Sequence, residues 1–161
     1  MFRVAIGQDS HRFTEESCEK KLMLGGVLIE GYPGLLGNSD ADVVLHALIN
    51  AVSGITGVNI LGGIADDMCL KEGITGSRAY LEKALSFLEG QRIAHVSISI
   101  EALRPKLAPH IESIRESIAE LLGMDKKSVG ITATTGEGLT EFGKGKGIFC
   151  TVILTVQEEM A

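Results

Sequence analysis

The sequence predicts an α+β domain of two layers, a mixed β-sheet with helices packed on one face. Two observations carry this prediction. Period-two apolar alternation marks strands near the start, the middle and the end of the chain, and three segments with apolar residues at helical spacing interleave with them. The resulting order is βαβαββ. With 161 residues, 45% of them hydrophobic, there is material for one core and hardly for two, so residues 1–161 read as a single domain.

Phe2, Val4 and Ile6 alternate with Arg3, Ala5 and Gly7, which predicts a half-buried strand running towards Asp9 and His11. Leu22-Met23-Leu24 and Val27-Leu28-Ile29 flank Gly25-Gly26 as a short hairpin or bulged strand pair. Ser39 stands three residues before Asp42 and ahead of Val43-Val44-Leu45, a capping-box pattern that predicts a helix from near Asp40 to Gly54 or Gly57. Residues 55–76 are glycine-rich around Asp66-Asp67 and read as a long loop, a feature often functional in compact domains. Ser77 is expected to cap a second helix through Tyr80, Leu81, Ala84, Leu85 and Leu88, stopped by Gly90. Ala94 to Ile100 alternates as a strand, and Pro109 opens a third helix that Gly123 ends. Val129, Ile131 and Ala133 form another strand, and Ile148 to Val156 the longest one.

Charge and composition exclude several partners. Fifteen basic against twenty-one acidic residues give a net charge of −6, so no broad cationic surface is available for nucleic acid or anionic lipid. The absence of Trp, with only two Tyr, argues against a base-stacking platform. Cys18, Cys69 and Cys150 are odd in number and widely spaced, which fits idle thiols in a reducing cytoplasm rather than a disulfide framework. The first residues lack the apolar core of a signal peptide. Val43 to Ala65 carries no formal charge and is long enough to cross a bilayer, yet it holds His46, Asn50, Ser53, Thr56, Asn59 and four glycines. It reads as a buried helix followed by a loop.

An acidic chain that handles phosphate needs local devices for it, and three clusters offer them. Asp9 and His11 are two apart at a strand end and share a face, while His46 lies on the first helix. One carboxylate and two imidazoles with a fourth position open make the ligand set of a catalytic zinc site. Asp42, one turn before His46, either orients that imidazole or favours the helix N-terminus. Thr134-Thr135-Gly136-Glu137-Gly138 follows an apolar strand and combines hydroxyls, backbone N–H groups and a carboxylate suited to phosphate with a hard cation; a plain glycine-rich loop explains the same letters. Arg104-Pro105-Lys106 places two cations about a proline, for a phosphate or simply for solvent. His95 and His110 lack such company and read as solvated.

These residues, in this order and spacing, resemble the 2-C-methyl-D-erythritol 2,4-cyclodiphosphate synthase family over nearly the whole chain. The carrying segments are Ile6 to Phe13, Leu24 to Val27, Gly34 to Leu36, Ser39 to Leu48, Arg104 to Ile111 and Thr132 to Glu137. The resemblance implies a homotrimer with active sites between adjacent subunits. It implies zinc (or manganese) on Asp9, His11 and His46, magnesium on Glu137, and the α-phosphate against Thr134 and Thr135. The segment Ala102, Leu103, Arg104, Pro105, Lys106, Leu107 and Ala108 would form a cytidine pocket for the neighbouring subunit. The implied substrate is a small cytidine diphosphate, 4-diphosphocytidyl-2-C-methyl-D-erythritol 2-phosphate. Its own 2-phosphate would attack the β-phosphorus and expel CMP, a step that asks for positioning and charge stabilisation rather than a nucleophilic side chain.

The chain departs from the family pattern at positions expected to meet the phosphate or polyol. Asn38, beside Ser39, replaces a His; Asn59 replaces an Asp; and Ile64-Ala65-Asp66-Asp67-Met68 stands where Phe-Pro-Asp-Thr-Asp is usual. Lys144 replaces an Arg in a loop near the trimer axis. These departures motivate a competing expectation, a trimeric zinc- and nucleotide-binding protein that does not cyclise. A general metal-dependent phosphatase fits less well, since no additional carboxylate cluster is present for a second hydrolytic metal.

Overall fold

The computed structural model describes residues 1–15 and 17–159. The main sheet holds β1 (Phe2–Arg12), β4 (Gln91–Glu101), β5 (Val129–Thr134) and β6 (Gly147–Glu158) in the order β1-β6-β4-β5. β6 runs antiparallel to both neighbours and β4 parallel to β5, so the sheet is mixed. A separate antiparallel hairpin joins β2 (Lys21–Leu24) to β3 (Val27–Pro33) through Gly25-Gly26. The helices are α1 (Val43–Thr56), α2 (Gly63–Glu72), α3 (Ser77–Leu85) and α4 (Ile111–Leu122).

Register explains where the core lies. Gly7 pairs with Val152, Val152 with Ile98, and Ile98 with Ile131, so one face of the sheet carries a row of small or apolar residues. Ile148, Cys150, Leu154, Val156, Val96 and Ile100 extend that face, and all are buried. Helix α1 crosses it above β1 and β6. A Cβ on Gly7 would stand 2.1 Å from the Ala47 carbonyl oxygen, so the missing side chain is what lets α1 settle on the strand.

Three expectations are corrected. First, the apolar row Phe2, Val4 and Ile6 of β1 is the outward one, exposed by 64%, 65% and 60%, while Ala5 and Gly7 face the helices. Alternation announces a strand but not which face it buries. Second, residues 63–72 of the expected loop form α2. The segment lacks an amphipathic repeat, buries only Ala65, and Gly62 precedes it without a side-chain cap, so no local signal marked it. Third, neither serine caps its helix. Asp42 is the N-cap of α1, accepting from the Val44 and Leu45 N–H groups, and α3 is capped by Gly76 with Ser77 already inside it. The expected stops at Gly57 and Gly123 are left-handed C-caps, and Pro109 sits in a 3-10 turn leading into α4.

Asp42 does more than cap. Fully buried, it also accepts from the backbone N–H groups of Gly25 and Gly26 at 2.8 and 2.6 Å, tying the hairpin turn to the start of α1. Burial pushes its carboxyl up despite those bonds. Asp42→Ala leaves four donors unmatched and is expected to destabilise the protein by about 3 kcal/mol, a cap plus two buried hydrogen bonds. Thermal unfolding measures this, and an unchanged Tm would contradict it.

Candidate active site

The site forms where β1 ends beside the first turns of α1. Asp9 and His11 project from alternate residues of the strand onto its helix-facing side, and His46 comes down from α1. His11 Nε2 lies 2.8 Å from Asp9 Oδ2, His46 Nδ1 lies 3.0 Å from the same oxygen, and the two ring nitrogens are 3.1 Å apart. This triad is the one group of potential metal ligands found among the described residues. Burial alone would raise the Asp9 carboxyl, but hydrogen bonds from both imidazoles outweigh it and bring the pKa down to about 2. Burial likewise pulls the His11 imidazole down, and its bond to Asp9 overrides that and raises it.

The donor set fits a divalent cation. His11 directs Nδ1 at the Leu36 carbonyl oxygen at 2.7 Å, and His46 directs Nε2 at the Ser77 hydroxyl at 2.9 Å. With each outer nitrogen engaged, Nε2 of His11 and Nδ1 of His46 are the atoms that would offer lone pairs to a cation at the position they share with Asp9 Oδ2, in place of their hydrogen bonds to that carboxylate. Asp42 does not orient His46, because both its oxygens are taken by backbone N–H groups.

The triad lines a cavity of about 210 Å³ together with Asn38, Ser39, Asp66, Leu61, Cys69 and Tyr80. Asn38 and Ser39 are thus brought beside the triad, and α2 supplies one wall. Lys20 steadies this edge by donating to the Gly37 carbonyl at 2.8 Å. Asn59 is exposed after α1 and lies off the cavity, and Asp67 faces outward to pair with Lys71 at 2.8 Å.

A second cavity, about 290 Å³, is lined by Ala102, Leu103, Pro105, Lys106, Leu107 and Ala108 on one side and by Thr134 and Thr135 on the other. It shares no residue with the first. Arg104 turns away from it to lie over the Phe13 ring at 5.2 Å, beside a larger groove along the β2–β3 hairpin. Thr135 accepts from the Glu137 N–H, and Glu137 is exposed with φ of 50°, a backbone strain uncommon outside glycine. Lys144 pairs with Glu141 at 2.9 Å. Cys150 is packed in the core, where burial pushes its thiol up, and Cys18 is exposed. His95 is exposed and His110 half-buried, both away from the triad.

Sequence reasoning missed Ser77, Asp40, Cys69 and Tyr80. Ser77 meets His46 across 31 residues, and its place after Gly76 gave only a capping signal. Tyr80, read as an apolar helix position, donates its hydroxyl to the Ile74 carbonyl, and burial pushes it up to about 12.

Fold and site together define a mixed α+β domain with a candidate divalent-metal centre at the end of its sheet. The chain belongs to the YgbB family, whose model matches residues 2–157. It is 50% identical over 159 residues to the 2-C-methyl-D-erythritol 2,4-cyclodiphosphate synthase of Chlamydia felis, covering 98% of this chain and 90% of that one. The synthase of Chlamydia trachomatis is 48% identical, with 98% and 89% covered. A solved 2C-methyl-D-erythritol-2,4-cyclodiphosphate synthase in its CDP-bound form superposes with a TM-score of 0.85 at 28% identity, over 96% of this chain and all of that one. No helix among the described residues is long and apolar enough to cross a membrane.

Proposed function

We propose that this chain converts 4-diphosphocytidyl-2-C-methyl-D-erythritol 2-phosphate to 2-C-methyl-D-erythritol 2,4-cyclodiphosphate with release of CMP, in non-mevalonate isoprenoid precursor synthesis. The observation that carries this reading is the meeting of Asp9, His11 and His46 in one cavity of a chain half identical to such synthases. Residues 1–161 act as one domain, and three free thiols suit a cytoplasmic setting.

Asp9, His11 and His46 would hold zinc (or manganese) and Glu137 magnesium, which supply Lewis-acid polarisation and charge neutralisation to the diphosphate. The remaining work is positioning. Asn38 and Ser39 offer an amide and a hydroxyl to phosphate beside the triad, and Asp66 faces the polyol. Thr134 and Thr135 bind the α-phosphate, while Ala102 to Ala108 form the cytidine slot with Lys106 at its rim. An oxygen of the 2-phosphate forms the new bond to the β-phosphorus as the bond to the CMP oxygen breaks. CMP leaves with that electron pair, and no side chain is covalently modified.

A homotrimer with shared sites is the assembly this reading needs. Two observations support it. The metal cavity and the nucleotide-like cavity have no residue in common, and the helix-free sheet face exposes Phe2, Val4, Ile6 and Ile153.

Incubation with the substrate, Mg²⁺ and Zn²⁺ tests the reaction. Cyclic product with CMP is expected; inorganic phosphate or no turnover would reject it. Mixing inactive His46→Ala and Lys106→Ala chains under exchange conditions tests the sharing. Random assortment gives about one site in four both intact halves, so activity should recover to roughly a quarter of wild type. No recovery, or a monomer by light scattering, would count against shared sites.

A further inference from the structure

We propose that Asp40 and Ser77 are positioning residues that fix the tautomer of His46, a role neither capping nor packing requires. The inference rests on the metal-binding reading of the triad. Ser77 is fully buried at the start of α3, and its hydroxyl has two partners, Asp40 Oδ1 and His46 Nε2 at 2.9 Å. An ionised carboxylate only accepts, so the single hydroxyl proton goes to Asp40, and the Ser77 oxygen must accept from the ring. A proton is thereby held on His46 Nε2. Nδ1, which faces Asp9 Oδ2 and His11 Nε2 at 3.0 and 3.1 Å, is the nitrogen left to bind a cation in place of its hydrogen bond to Asp9.

Asp40 is itself locked in place. Its Oδ2 accepts the Ser77 backbone N–H at 2.9 Å, Oδ1 accepts that of Asp42 at 3.2 Å, and its own N–H donates to the Thr75 carbonyl at 2.9 Å. Ala41, with φ of 55°, turns the chain between Asp40 and Asp42, so that one carboxylate faces α3 while the other caps α1. Ser39 is a weaker partner for Nε2. Its hydroxyl oxygen stands 3.4 Å away and accepts from the Ala41 N–H at 3.0 Å. The chain of acceptors Ser77 and Asp40 therefore does for His46 what the Leu36 carbonyl does for His11.

The test is zinc affinity, read by competition with a chromophoric chelator, with Tm recorded for each metal-free protein. Removing an outer partner of a ligating imidazole typically weakens metal binding 10–100-fold, and Ser77→Ala is expected to do so, whereas Ser77→Thr, which keeps the hydroxyl, stays within about threefold of wild type. Asp40→Asn is the second variant should Ser77→Ala not fold. Its amide can donate to Ser77, which then donates to Nε2 and drives the ring proton to Nδ1. Nitrogen-15 shifts of His46 in the zinc-loaded proteins report which ring nitrogen carries the proton. Zinc affinity unchanged in Ser77→Ala, or lowered only in Tm, overturns the proposal, as does an Asp40→Asn protein with wild-type zinc affinity. Failure of the wild type to take up zinc would instead remove the metal reading and this inference with it.

Discussion

His46→Ala is expected to leave a folded chain that no longer retains zinc and whose cyclisation rate falls by at least about a thousandfold. The substitution removes one of three ligands and leaves only Asp9 and His11, which face each other from a single strand. Lewis-acid stabilisation of a phosphoryl group amounts to several kcal/mol, and about 1.4 kcal/mol corresponds to a factor of ten in rate, so losing it accounts for three powers of ten. The fold should survive, because Ala favours the helix and the lost ring lies at the edge of the core, beside a cavity. Metal content per chain, circular dichroism and product formation check the three parts separately. Matched changes of His95 and His110, which lie off the triad, should leave metal content and rate near wild type. Full zinc occupancy in His46→Ala would end the assignment.

The triad was legible in the sequence for a physical reason. Asp9 and His11 are two apart in a strand, so they share a face whatever the tertiary structure does, and a His inside an uncharged helical run must face either the core or a ligand. What surrounds the triad was not legible, because its partners are remote in sequence. Asp42 binds Gly25 and Gly26, and Ser77 binds His46 and Asp40, contacts that no local pattern encodes. The capping-box letters were read in the wrong role for the same reason. Ser39 to Asp42 predicts a helix start correctly to within a few residues, but the side chain that performs the capping is the one that also meets the hairpin.

The sheet shows a similar division. Alternation identified β1, β4 and β6, yet Phe2, Val4 and Ile6 turned out to be the row away from the helices. In β1 the inward row is Ala5, Gly7, Asp9 and His11, which is less hydrophobic than the outward one. A closely packed helix demands small residues beneath it, and a metal site demands polar ones, so local hydrophobicity points to the wrong face on this strand. The outward row is the face that the proposed homotrimer would cover.

Gly7 makes that division testable, and Gly7→Ala is the second substitution with a large expected effect. The added Cβ would lie 2.1 Å from the Ala47 carbonyl oxygen and 2.3 Å from the Ala51 nitrogen, both backbone atoms of α1. Neither can rotate out of the way, so the helix must move off the strand by about 1 Å, at a cost near the upper end of overpacking, about 3 kcal/mol. In a chain of this size that lowers Tm by about 10 °C. Ala47 follows His46 directly, so the retreat also carries the imidazole away from Asp9 and His11, and zinc affinity should drop at least about tenfold although no ligand has changed. Gly54→Ala is the counterpart on the same helix. Its Cβ would meet the Ala5 Cβ at 3.1 Å and the Ile6 carbonyl oxygen at an ordinary 3.7 Å, so the strain is a few tenths of an ångström and the helix gains about 0.5–1 kcal/mol from losing a glycine. Tm and zinc affinity of that variant should stay close to wild type. If Gly7→Ala behaves like Gly54→Ala, contact between α1 and β1 does not set the spacing of the triad, and the placement of His46 must come from its other supports, the Asp42 tie to the hairpin and the Ser77 bond from α3.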